Sequence, residues 1–162
     1  MTAAPFRSSV MTVKPEWIDY NGHLNMAYYN VLMDLGSDEA FAALGMGPDY
    51  TRARGLTTYS AEYRMQYKRE LHEGDGVIMS LQLLDHDTKS FHFAQELHHV
   101  DGWLSARGEG LGLHIDQSGP RVAPMPEEIF AAMQAMRAAH AALPRPDWIT
   151  QPIGIRRAGQ PA

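Results

Sequence analysis

The feature that most limits what this chain can fold into is a row of small residues in one short segment. Ala106, Gly108, Gly110 and Gly112 alternate with Arg107, Glu109, Leu111 and Leu113. Successive residues of a strand point to opposite faces, so the alternation makes one face nearly bare and the other bulky. Glycine weakens a strand, and such a row is expected where a sheet bends or another element comes close. Residues 103–115 are the last of four successive strand-like stretches, after 56–67, 76–84 and 90–100. Gly74-Asp75-Gly76, Asp85 to Asp87 and Asp101-Gly102 punctuate them as hairpin turns, which predicts an antiparallel meander.

Upstream, residues 26–44 carry a helical period. Tyr29, Leu32, Met33, Gly36, Ala40, Ala43 and Leu44 recur at three- and four-residue steps, and Val31, Leu35 and Phe41 widen the stripe. Asn30, Asp34, Ser37 and Asp38 share another side. A stripe this wide predicts a well-buried helix, with Asn25 as N-cap and Gly45 as its stop. A sheet curled around this helix accounts for the glycine row, which gives an α+β class. Pro126, Glu127 and Glu128 open a second helix that runs through Ile129, Met133, Met136 and His140 until Pro144. Residues 6–13 read as a short strand, and the Pro, Gly and Arg-rich stretch before Leu56 reads as a loop. The expected organisation is one domain over residues 1–143 and an extended or partly disordered tail over 144–162.

Composition narrows the chemistry. The chain has no cysteine, so disulfides, thiolate nucleophiles and thiolate metal sites are excluded. A net charge of -5 speaks against nucleic acid, which demands a basic face. Local pairs such as Arg52 with Arg54, or Lys68 with Arg69, are suited to a small anionic ligand. There is no long apolar run and no secretory pattern at the N-terminus, so the expectation is a cytoplasmic protein without a membrane partner. His98-His99-Val100-Asp101 and Asp85-His86-Asp87 fall at strand ends, where neighbours point apart, so no metal site is expected. Phosphate-binding glycine loops and the serine nucleophile elbow are absent from the sequence.

The chemistry-bearing segment is Asp19-Tyr20-Asn21-Gly22-His23-Leu24-Asn25-Met26-Ala27-Tyr28-Tyr29, a turn running into the start of the long helix. A helix N-terminus offers free N–H groups and a partial positive charge to an oxygen that becomes negative. Met26, first after the cap, is therefore the candidate oxyanion donor, and Asp19 lies where a carboxylate could attack an acyl carbon or activate a water. The sequence leaves those two roles for Asp19 open, and a turn or capping aspartate is the plain structural alternative. His23 could orient a water or the substrate, or be a hydrogen-bonded structural residue. Tyr28 and Tyr29 are consecutive on the helix and point about 100° apart, so one of them belongs to the core.

This segment resembles the 4-hydroxybenzoyl-CoA thioesterase-like branch of the hot-dog superfamily. Asp19, Gly22, His23, Asn25 and Tyr29 match its pattern, with Leu24 for Val and Met26 for a second Asn, and Tyr67 with Glu73-Gly74-Asp75 resembles a later part of it. The resemblance implies a curved sheet around a central helix, here with an extra C-terminal helix, and hydrolysis of an acyl-CoA without a further cofactor. It also implies the oxyanion donor at Met26, an acyl pocket beside Asn25, a homodimer or homotetramer, and basic residues near the nucleotide end of CoA. Lys68, Arg69 and Arg64 are the candidates for that last role. Trp17, Tyr20, Tyr28, Tyr59 and Tyr63 suit an aryl acyl group, or a quaternary ammonium through cation–π contacts. The stretch is further similar to stand-alone thioesterases of carnitine and betaine catabolism, which implies betainyl-CoA beside aryl- and short-chain acyl-CoA. A non-catalytic acyl-CoA-binding module and an enoyl-CoA hydratase are the competing readings. The hydratase signature requires a proline that is not found between Asn21 and His23.

Overall fold

The computed structural model describes residues 5–150. Its strands are β1 (Phe6–Arg7), β2 (Met11–Thr12), β3 (Leu56–Tyr67), β4 (Gly76–His86), β5 (Ser90–His99), β6 (Leu104–Asp116) and β7 (Arg121–Val122). The helices are α1 (Met26–Ala43), α2 (Pro48–Arg54) and α3 (Glu127–His140), with a 3-10 turn at Pro15–Trp17. All strands join one antiparallel sheet in the order β1-β4-β5-β6-β3, with β2 also on β4 and β7 on β6. It is the α+β hot-dog architecture, a curved sheet around α1.

The glycine row explains the wrapping. Gly110 and Gly112 lie opposite Phe93 and Phe91 in the β5–β6 register. A Cβ on Gly112 would overlap the Phe91 ring, one on Gly110 the Phe93 ring, and one on Gly108 the Tyr63 ring and hydroxyl. The bare face of β6 thus lets three rings from neighbouring strands fold over it. Phe41 of α1 meets the two phenylalanines edge-on, at 5.3 Å from Phe91 and 6.4 Å from Phe93. Across the same core, Gly36 of α1 sits directly against Met79 of β4. Glycines on both helix and sheet bring the two backbones together.

One polar network crosses this apolar core. The Gln95 amide donates to the Met33 carbonyl (3.1 Å) and to Ser37 Oγ (2.9 Å), and its oxygen accepts from the Tyr63 hydroxyl (2.9 Å). A buried amide left unpaired would be costly, so these bonds fix the rotation of α1 on the sheet.

The ends of α1 follow the sequence closely. Asn25 Oδ1 accepts from the Ala27 N–H at 3.0 Å. At the other end Gly45 takes φ +86°, the Met46 N–H reaches the Phe41 carbonyl and the Gly45 N–H reaches the Ala42 carbonyl, which is a Schellman closure.

Two expectations are corrected. The stretch before Leu56 contains a helix, α2, with Pro48 at its start and Gly55 at φ +63° at its end. The strand over residues 6–13 is broken, because Ser8 Oγ accepts the Met79 N–H at 2.9 Å and Ser9 binds Glu39 through both its N–H and its hydroxyl. Serine side chains there compete with the ladder. Within the expected tail, Trp148 and Ile149 are buried with Leu84 and Ala94 on the outer face of the sheet. The remainder of the expected tail, 151–162, lies outside the described residues.

Replacing Gly110 by alanine forces a methyl into the Phe93 ring, so stability should fall by about 1–3 kcal/mol. Chemical denaturation of wild type and Gly110→Ala tests this; equal midpoints would mean that the bare face is not what admits the rings.

Candidate active site

Two loops build a cleft at the start of α1. The first is a tight turn in which the Asp19 N–H donates to the His23 carbonyl and the Gly22 N–H to the Asp19 carbonyl, both at 3.0 Å. Gly22 takes φ +82°, a conformation that glycine adopts without steric cost. Asp19 Oδ1 accepts the Asn21 N–H at 2.8 Å, which fixes the carboxylate on the turn. Asp19 is therefore both a turn residue and a cleft residue.

The second loop, residues 68–71, is clamped from behind. Lys68 and Arg69 donate their N–H groups to the Ser105 carbonyl at 2.8 and 3.1 Å, and Ser105 Oγ donates back to the Arg69 carbonyl at 2.8 Å. The Tyr29 hydroxyl accepts the Leu71 N–H at 3.1 Å. Burial raises the Tyr29 phenol above its ordinary value, more than the bond from Leu71 lowers it, so the hydroxyl stays protonated. The Leu24 N–H donates to the Leu71 carbonyl at 2.7 Å and joins the two loops.

Asp19, His23, Met26, Tyr29, Lys68 and Arg69 all line this cleft of about 350 Å³, with Leu24, Tyr67 and Glu70. At the helix start the Ala27 N–H is taken by the Asn25 side chain and the Tyr28 N–H by the Asn25 carbonyl. No acceptor for the Met26 N–H occurs among the described residues. The cap thus leaves one backbone donor, with the helix's positive end behind it.

The other expected residues lie around or away from this cleft. Trp17 and Tyr28 stack on each other at 5.5 Å beside the cap. Asn25 acts as the cap. Tyr29 is a core residue whose hydroxyl holds the cleft wall. Arg64 is on the outer face of the sheet, where it pairs with Glu109 and donates to the Trp148 carbonyl at 3.0 Å. Tyr67 and Glu70 were missed as cleft residues; Tyr67 meets Tyr29 edge-on at 5.2 Å. A larger cleft of about 530 Å³, between the outer face and residues 143–148, contains none of the expected site residues. Among the described residues no cluster of His, Asp or Glu suits a metal ion, and no helix is long and apolar enough to cross a membrane.

A family model described as the thioesterase-like superfamily matches residues 13–133, most of the chain. The chain belongs to this superfamily. It is an acyl-CoA thioesterase with a hot-dog fold. This thioesterase is 35% identical over 148 residues to a betainyl-CoA thioesterase of Pseudomonas aeruginosa, covering 88% of this chain and 91% of that one. It is 30% identical over 156 residues to an L-carnitine dehydrogenase/betainyl-CoA thioesterase of Rhizobium meliloti, covering 96% of this chain but 31% of the relative. In structure it is similar to a hypothetical protein of Staphylococcus aureus solved in complex with CoA, with a TM-score of 0.88 and 24% identity over 96% of this chain and 98% of that one.

Tyr29→Phe leaves the Leu71 N–H without its acceptor, and a stability loss of about 1–3 kcal/mol is expected for a buried donor left unpaired. The paired readout is hydrolysis: a loosened 68–71 wall should raise KM as well. Unchanged stability and KM would show that the Tyr29 hydroxyl does not hold the wall.

Proposed function

We propose that this thioesterase hydrolyses a small acyl-CoA in the cytoplasm, betainyl-CoA foremost, in the cleft at the start of α1. The observation that carries the reading is the Asp19 carboxylate and the unpartnered Met26 N–H on one cleft. In this reading the thioester carbonyl oxygen lies at the Met26 N–H, which takes up the negative charge as the carbonyl carbon becomes tetrahedral. Asp19 acts in one of two ways. As base it takes a proton from a water whose oxygen bonds to the carbonyl carbon; as nucleophile it forms an acyl-aspartyl anhydride that water then cleaves. In both, the C–S bond breaks, CoA leaves as a thiolate that takes up a proton, and the acyl group departs as a carboxylate.

His23 orients the water or the acyl group, and Lys68 and Arg69 at the rim receive the phosphates of CoA. The names of the two betainyl-CoA-hydrolysing relatives favour a quaternary ammonium acyl group. Tyr67 and the Glu70 carboxylate, both on the cleft lining, are suited to such a cation.

The decisive measurement is thiol release from aryl, short-chain, long-chain and betainyl-CoA by wild type, Asp19→Ala and Asp19→Asn. Both substitutions should lower the rate on the order of 10²-fold or more. Mutants as fast as wild type would remove Asp19 from the mechanism, and a wild type that binds every acyl-CoA and releases no thiol would be a binding module.

We also propose a homodimer formed along β3. It is an edge strand of 12 residues with exposed Tyr59 and Tyr67, and an open edge of this length invites a second copy. Sedimentation equilibrium should give twice the chain mass or a multiple of it; a monomer at micromolar concentration would rule this out.

A further inference from the structure

Arg69 borders two clefts. One is the Asp19 cleft; the other, about 280 Å³, is lined by Arg69, Glu70, His72, Asp75, His99, Asp101 and Trp103. Three carboxylates surround the second cleft, and an exposed arginine beside them would be expected to swing over and pair with one. Among the described residues no carboxylate lies within ion-pair distance of Arg69. Its guanidinium rests instead on the Trp103 ring, 4.1 Å from the centroid.

The ring is itself held. His99 stacks on it at 4.7 Å with the planes 9° apart, and the Trp103 carbonyl accepts the His99 N–H at 3.0 Å. Two of the acids lie at the imidazole rather than the guanidinium: Asp101 is 3.3 Å from His99 Nδ1, which also accepts the Asp101 N–H at 3.1 Å, and Asp75 is 3.7 Å from His99 Nε2. At the other end of the arginine, the Ser105 bonds clamp its main chain. Backbone and head group are thus both fixed, and the partner at the head carries no charge.

From this geometry we infer that Trp103 is a positioning residue. It seats Arg69 on a neutral surface, away from Glu70, Asp75 and Asp101, so that the full positive charge stays available beside Lys68 for the phosphates of the CoA leaving group. The inference rests on the acyl-CoA reading above and adds to it a residue that touches neither the thioester nor Asp19. A cation–π contact suits the purpose better than an ion pair, because it orients the guanidinium without neutralising it.

The test compares two thioesters of one acyl group, one on CoA and one on N-acetylcysteamine, which has no phosphates. Trp103→Leu should raise KM for the CoA thioester by about 3- to 5-fold, the size expected for an exposed cation–π contact, with kcat unchanged. It should leave kcat/KM for the N-acetylcysteamine thioester as in wild type, and Trp103→Phe should restore most of the loss. Arg69→Gln should raise KM for the CoA thioester by more than for the N-acetylcysteamine thioester, and the Arg69→Gln, Trp103→Leu double variant should be no worse than Arg69→Gln alone. An equal loss on both thioesters, or multiplying losses in the double variant, overturns the inference.

Calorimetric titration with CoA itself keeps the test independent of turnover. If wild type hydrolyses no thioester, the catalytic reading fails, yet weaker CoA binding by Trp103→Leu and by Arg69→Gln still supports the seat. Wild-type CoA affinity in both variants overturns it.

Discussion

The close contact between α1 and the sheet depends on side chains that are missing. Without Cβ atoms at Gly108, Gly110 and Gly112, Tyr63, Phe93 and Phe91 lie over β6 instead of standing up from their own strands. That lowers the floor on which the helix rests, and Gly36 removes the corresponding bulk from the helix. Interiors pack at crystal-like density, so a few missing methyl groups decide how near two backbones come. The position of the helix N-terminus, and with it the Met26 N–H, follows from this fit. The Gln95 network then selects one rotation of the helix, since only one presents Met33 O and Ser37 Oγ to the amide.

Each wall of the cleft is tied into something buried. Ser105, fully buried in β6, holds the main chain of residues 68 and 69. Tyr29 uses its ring in the core and its hydroxyl on Leu71. The Leu24–Leu71 bond fastens the Asp19 turn to the same wall. Preorganisation of this kind matters for electrostatic catalysis, because donors and carboxylates that are already aimed need not reorganise as charge develops.

What could be read from the sequence was what is local in the sequence. The four long strands match their expected ranges to within about two residues at each end, because Gly74-Asp75, Asp101-Gly102 and the polar turn after His86 separate them. The segment from Asp19 to Tyr29 could be read as a candidate site because one turn and one helix start carry all of it. Helix α2 escaped because Pro48, Gly47 and Gly55 look like loop residues when counted, yet in place they are a first-turn proline, a cap and a left-handed stop. Tyr67 and Glu70 joined the cleft only through the β3–β6 pairing and the Ser105 clamp, which no local pattern reveals. Arg64 had the right charge for CoA, but the alternation of β3 turns it to the outer face, and Trp148, far along the chain, claims it there.

An acidic chain that handles an anionic substrate must keep its own carboxylates from interfering. Much of the negative charge is occupied away from the cleft. Glu109 is half-buried, and burial alone would raise its pKa; the Thr150 N–H, His92 and Arg64 outweigh that and hold it below the ordinary glutamate value. Glu128 pairs with Arg54 and Asp116 with Arg121. At the cleft rim the arrangement differs: Lys68 and Arg69 have no ion-pair partner among the described residues, and the helix start adds the positive end of its dipole. Charges within about 10 Å of a ligand dominate its electrostatics at ordinary salt, so the placement of Lys68 and Arg69 against Asp19 and Glu70 on the one cleft, rather than the net charge of -5, governs what approaches it.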